Sequence, residues 1–329
     1  MLVISRHMAE HALALCLAVC LALLLGGCAA TKPSAEKPAG TASSADEAVS
    51  LADRQLAAGD YIPAIKALGP AIDRYPRSAE LYILRGTAYY KVNNTNQALF
   101  DFSRAIELDP GNVQALFNRG TILFSLGQDD KALADFERAI SLAPHFAQAY
   151  NNRGLIHSRR QENQLAIEDF TRALEYSNGT LLEALVNRAA IYQAERYDEK
   201  ALADYDMALA ANPNLVRALN NRGAISIALG RYDEAVADFT KALEITPDDA
   251  EILFNRAIAL EDRNKYDEAI ADYDKAIALN PKFAPAFHNR GVLYMRLNAR
   301  ERACSDLKSA CDLGMCIRYE TAKEIGACW

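Results

Sequence analysis

Small and apolar residues recur along this chain on two helical stripes, and the stripes themselves recur about every 34 residues. A Gly or Ala stands at 86, 120, 154, 189, 223, 257 and 291, each directly after an Arg; the step is 34 residues five times and 35 once. With this small residue numbered position 8 of a unit, position 20 is Ala in all seven units, from Ala98 to Ala303. Position 24 is Phe102, Phe136, Phe170, Tyr205, Phe239, Tyr273 and Leu307, and position 27 is Ala in every unit from Ala105 to Ala310. Positions 20, 24 and 27 are spaced i, i+4, i+7, which places them on one face of a helix. Positions 4, 8 and 11, as in Tyr82, Gly86 and Tyr89, form a matching stripe on an earlier helix. Gly inside a helix costs about 1 kcal/mol against Ala, so its recurrence implies that something packs closely against it. The stretch Leu229–Ala235 joins two helices of one unit, and Pro at position 32 (Pro110, Pro144, Pro213, Pro247, Pro281) separates units, with Asn178 and Met315 as exceptions. The pattern predicts helix–turn–helix units with no core of their own, stacked so that neighbours bury one continuous spine.

A unit of this length with small residues at 8, 20 and 27, an aromatic at 24 and Pro at 32 resembles the tetratricopeptide repeat family. The resemblance implies an all-α fold, a right-handed superhelical solenoid of about eight helical hairpins with a concave face. One unit before Gly86 the pattern weakens to Ala52, Ala64, Leu68, Ala71 and Pro76. Eight units are therefore expected over residues 45–317, the first degenerate, followed by a C-terminal cap over 318–329.

Two polar ladders follow the same period. Arg at position 7 and Asp at position 23 stand 16 residues apart in every unit, including Arg119 and Asp135, Arg153 and Asp169, and Arg222 and Asp238. A constant offset is what a structural ion pair between antiparallel helices needs. Asn occupies position 6 at Asn118, Asn152, Asn187, Asn221, Asn255 and Asn289, although Asn is a mediocre helix former. In the solenoids this chain resembles, that position faces the concave groove, where an amide can pair with both the C=O and the N–H of an extended peptide. The competing reading is that the amides brace neighbouring helices. The family's clamp for a C-terminal carboxylate needs basic residues at positions 2 and 6, and here position 2 is Glu80, Gln114, Gln148, Glu183, Glu251 and Pro285, with only Arg217 basic.

The two ends differ from the repeats. Ala12 to Leu25 is an apolar run of 14 residues, too short for a comfortable span and suited to a signal segment. It ends in Leu25–Cys28, which resembles the lipobox of bacterial lipoproteins. That resemblance implies a signal peptide over 1–27, a lipidated Cys28, and anchoring at the periplasmic face of the bacterial outer membrane. Residues 28–44 are small, polar and Pro-containing and read as a flexible tether. The other cysteines outside the leader are Cys304, Cys311, Cys316 and Cys328, spaced unlike a zinc ribbon. Cys304 and Cys311 lie two turns apart on one helix, beyond disulfide reach. With Gly314 ending that helix and an antiparallel return helix expected over Ile317–Ala327, Cys311 faces Cys316 and Cys304 faces Cys328. Four free thiols are the alternative.

Charge and motifs narrow the function. Net charge is −7, with no basic face for nucleic acid. The five His are scattered, and no phosphate loop, nucleophile elbow or metal-ligand spacing is present. No cofactor, metal site or catalytic residue is expected. The expected role is an adaptor that binds proteins or extended peptides in its concave groove. Lipoproteins resembling this chain serve in pilus or secretin assembly, as peptidoglycan-enzyme adaptors, or in export machines. A structural spacer, or a small-ligand or enzymatic role, is the alternative. Mass spectrometry of protein purified from the native envelope is expected to find the mature chain starting at acylated Cys28, with Cys28→Ser unprocessed or unanchored. An unmodified Met1 terminus would remove the lipid-anchor expectation.

Overall fold

The computed structural model describes residues 44–328, and these are all helix and turn. The lipobox, the leader and nearly all of the expected tether fall in residues 1–43, outside the described residues. The eight hairpins pair α1 (Ala45–Ala58) with α2 (Tyr61–Arg74), α3 (Ala79–Lys91) with α4 (Thr95–Leu108), and α5 (Val113–Ser125) with α6 (Asp129–Leu142). They continue with α7 (Ala147–Arg159) and α8 (Asn163–Tyr176), α9 (Leu182–Ala194) and α10 (Asp198–Ala211), and α11 (Val216–Ala228) and α12 (Tyr232–Ile245). The last pairs are α13 (Ala250–Asp262) with α14 (Tyr266–Leu279) and α15 (Ala284–Arg296) with α16 (Arg300–Asp312), and the short α17 (Ile317–Glu324) follows.

Local chemistry sets these boundaries. Position 15 is left-handed in every unit from α3 onward: Asn93, Gly127, Gln161, Arg196, Gly230, Asn264 and Asn298 all have φ between 59° and 72°. At Gly127 the flanking amides close the helix end, Gly127 N donating to Phe124 O and Gln128 N to Leu123 O, a Schellman arrangement that satisfies orphan carbonyls. Ser44 caps α1 by accepting from Glu47 N at 3.1 Å. The one-residue insertion falls at Asn178–Gly179, both left-handed, where the other junctions use Pro.

The repeated stripes form the core. Ala at 20 and 27 and the residue at 24 are buried in every unit from Ala98 to Ala310. The reason for Gly at position 8 is the ring at position 24. A Cβ added at Gly120 or Gly154 would lie 2.9 Å from the facing Phe ring, and at Gly223 2.8 Å from Phe239. The two units with Ala there, Ala189 and Ala257, are the two whose aromatic is Tyr205 or Tyr273. Those rings are also held by their hydroxyls, which bond Asn221 and Glu261.

The last helix is shorter than the return helix expected to Ala327. α17 stops at Glu324 because Gly326 turns left-handed and Ala327 N reaches back to Ala322 O. Disulfides join Cys304 to Cys328 and Cys311 to Cys316.

Gly223→Ala gains up to about 1 kcal/mol of helix propensity. It meets overpacking against Phe239 that typically costs about 1–3 kcal/mol. Urea denaturation is expected to show net destabilisation, with hydrogen exchange rising first in α11 and α12. Combining it with Phe239→Leu should recover part of the loss; a neutral Gly223→Ala would refute the close-contact account.

Candidate protein-binding face

First helices of successive units touch one another directly, α3 with α5, α5 with α7, and onward through α13, beyond the contacts each makes with the hairpin before it. Their approach makes them the lining of the inner, concave side, and positions 2, 5, 6 and 9 face along it.

Behind this face stands the Arg–Asp ladder. Arg85, Arg119, Arg153, Arg188, Arg222, Arg256 and Arg290 each grip the Asp 16 residues on with a two-pronged fork, Nε to Oδ2 and Nη2 to Oδ1, at 2.6–2.8 Å. Both partners belong to the same hairpin, so the fork ties its two helices. The Asp residues are buried, Asp101 completely. The hydrogen bond to Asp169 holds the Arg153 guanidinium above its ordinary value, and Asp135 does the same for Arg119. The remaining guanidinium nitrogen turns to the preceding unit. Nη1 of Arg119, Arg188, Arg222 and Arg256 donates to Ser103, Thr171, Asp206 and Thr240 at 2.7–3.4 Å, and Arg290 makes the same bond to Asp274. Removing one partner of such a buried pair typically costs about 3–5 kcal/mol.

The Asn residues lie half-buried on the inner side, and most reach backward too. Asn152 Nδ2 donates to Thr121 Oγ1 at 3.2 Å, Asn255 to Asn220 Oδ1 at 3.0 Å, and Asn221 to the Tyr205 hydroxyl at 2.9 Å. Asn289 bonds the Tyr273 hydroxyl, which itself donates to Glu261 at 2.5 Å. Asn118 is the exception, accepting from Gln114 one turn earlier on its own helix. Asn187 is buried, with only 3% exposed. Its amide donates to Asn151 Oδ1 and its oxygen accepts from Arg217 Nη2. A free groove amide is therefore not what Asn187 presents, because burial and two internal bonds engage both its ends. Together these bonds form a directed chain across four units, from Arg217 to Asn187, Asn151, Asn152 and Thr121, whose hydroxyl donates to Phe117 O. Asn151, at position 5, is a link the period did not show. What remains open to a ligand is the part of the varying set at positions 2, 5 and 9 that these bonds do not engage: Gln148 and Leu155 in one unit, Ala224 in another, Glu251, Phe254 and Ile258 in a third.

Further along this side, burial lowers the pKa of the His288 imidazole, and its Nδ1 is buried without a partner. Among the described residues no group of His, Cys, Asp and Glu is placed to hold a metal ion, and no helix is long and apolar enough to cross a membrane.

Asn187→Ala is expected to destabilise by about 1–3 kcal/mol, since it leaves buried polar partners unpaired. Asn118→Ala, which loses only an exposed bond within its own helix, should stay within about 0.5 kcal/mol. Chemical denaturation of the two single variants decides whether the ladder braces the stack, and equal small effects would count against bracing.

Comparison with known proteins agrees with the architecture. Tetratricopeptide repeat models match residues 79–112, 113–146, 130–180 and 189–259, and a TPR repeat model matches 259–298. A search of curated proteins finds no match. Among solved structures, PilF of Pseudomonas aeruginosa is similar with a TM-score of 0.58 at 20% identity, over 63% of this chain and 94% of that one. PilW, described as a widely conserved type IV pilus biogenesis factor, gives 0.56 at 21% over 62% and 94%. The anaphase-promoting complex hetero-tetramer Cut9–Hcn1 gives 0.60 at 14%, over 86% of this chain and 55% of that one. At these identities the likeness concerns the fold. With family models spanning residues 79–180 and 189–298 and the hairpin stack of the structure, the chain belongs to the tetratricopeptide repeat family.

Proposed function

We propose that this protein is a non-catalytic scaffold that holds partner proteins or extended peptides along its concave face. One observation carries the reading. The chain repeats its structural residues almost unchanged, whereas the inner-face residues at positions 2, 5 and 9 differ from unit to unit: Gln114, Phe117 and Thr121, then Arg217, Asn220 and Ala224, then Glu251, Phe254 and Ile258. A spacer needs only the repeated set; a recognition surface needs the varied one. The finer part of the proposal is a lipid anchor at Cys28, an outer-membrane location and work in the assembly of envelope machinery. The apolar run before Cys28 supports the anchor, and the shared fold with the pilus biogenesis factor PilW is in keeping with the assembly role. The spacer reading draws on the bracing bonds of the Asn ladder, which leave less of the inner face free for a ligand.

A photo-crosslinking residue placed in the native envelope at Leu155, Ala224 or Ile258 on the inner face, and at Phe100 or Met207 on outer surfaces, separates the two readings. Inner positions are expected to give discrete adducts with the same partner at several units, and outer positions little. Removing individual neutral contacts should weaken binding only slightly, at about 0.5–1.5 kcal/mol each. Adducts confined to the outer positions would place recognition elsewhere, and none at any position would favour the spacer.

A further inference from the structure

The C-terminal helix α17 has 8 residues, fewer than an isolated helix needs to persist in water. Packing does little to hold it. Its only buried residue is Ala322, while Ile317 and Ile325 are 81% and 72% exposed. What holds it is mainly covalent. Cys316, bonded to Cys311, immediately precedes the helix, and Cys328, bonded to Cys304, follows shortly after it. Arg300 adds hydrogen bonds to the carbonyls of Gly326 and Ala327.

The two disulfides are not equivalent. Cys304 and Cys328 are buried in an apolar cluster with Leu307 and Ala322, packed by Val292, Met295 and Tyr319. Cys311 and Cys316 are only partly buried. The inner bond spans 24 residues of sequence and the outer one 5. In the chain-entropy picture the longer loop contributes more to holding the segment in place. Thiol–disulfide exchange needs a thiolate to reach a sulfur, so access decides the order of attack.

We propose that this end of the solenoid is a two-stage redox latch operated by dithiol reductants. In the first stage a thiolate of the dithiol attacks one sulfur of Cys311–Cys316, forming a mixed disulfide and releasing the other cysteine as a thiolate. The second thiol of the reductant displaces the remaining cysteine. The dithiol leaves as a cyclic disulfide, and the protein has gained two electrons and two protons as two thiols. With the outer bond open, the turn through Gly314 and Met315 is released from its short covalent loop, and opening of the cap exposes the inner bond to the same exchange. Breaking Cys304–Cys328 then frees α17 and uncovers Leu307 with its neighbours, the last apolar layer of the spine. In the oxidised chain that layer is covered; in the reduced chain it is open to solvent and to other apolar surfaces.

The test uses the full chain, isolated without reductant and treated with graded dithiothreitol. Alkylation of released thiols is followed by mass spectrometry, and backbone protection by hydrogen exchange. Cys311 and Cys316 are expected to label at least about tenfold faster than Cys304 and Cys328, because reduction of the buried pair waits on local opening. Protection across 317–328 should vanish only as the second pair labels, while α9 to α12 stay protected. The variant Cys304→Ser/Cys328→Ser should lack that protection even when oxidised. Cys311→Ser/Cys316→Ser should keep it, and its inner bond should be reduced faster. Four free thiols in the isolated chain, equal reduction rates for the two bonds, or an α17 that stays protected with all four thiols free would each overturn the latch.

Discussion

The structure depends on how closely the two helices of a hairpin meet. An aromatic ring at position 24 lies directly over the backbone at position 8, so close that even a methyl group at Gly120, Gly154 or Gly223 would collide with it. At that separation there is no room inside a hairpin for a core of its own. The remaining apolar side chains must be buried against neighbouring units. One apolar cluster consequently runs without a break from Ala173 to Leu293. Stability in such a stack is a sum of hairpins and the interfaces between them, and no unit holds it alone.

The same closeness dictates the polar chemistry. It carries the Asp at position 23 into a buried site, where a lone carboxylate would be strongly unfavourable. A guanidinium answers with a planar fork for the carboxylate and a spare nitrogen for the preceding unit. That geometry explains why Arg and Asp recur in all seven units from Arg85 to Asp306 while the residues at positions 2 and 5 vary. It also assigns roles by depth. Position 7 holds the hairpin, position 6 mostly links it to its predecessor, and positions 2, 5 and 9 stay free to differ.

Much of this was legible in the sequence, for a physical reason: contacts within a hairpin have fixed offsets, and fixed offsets survive as a period. The Arg–Asp pairing followed from its constant 16 residues. Contacts between hairpins were harder to read, because their partners depend on how one unit is rotated against the next. Asn152 finds a threonine, Asn187 another asparagine and Asn221 a tyrosine hydroxyl, so identical letters hide different bonds. A readable clue was the exchange of Gly and Phe for Ala and Tyr at positions 8 and 24, which marks the two units whose ring carries a bonded hydroxyl. The buried link at Asn151 left little periodic trace, since among the other units position 5 is Asn only at Asn220 and is Ile, Phe, Val or His elsewhere. The end of α17 was misplaced because Gly326 takes a left-handed turn before Ala327.

The ladder bonds between units share a direction. In the third Arg arm and in the position-6 Asn contacts that cross a junction, the donor sits in the later hairpin and the acceptor in the earlier one, as with Arg119 and Ser103, Asn187 and Asn151, or Asn255 and Asn220. A hairpin thus offers acceptors to the unit after it and donors to the unit before it. The stack therefore has a polarity: two units can join head to tail with these bonds, but two like faces cannot. The ladders fix the order of stacking as well as its tightness.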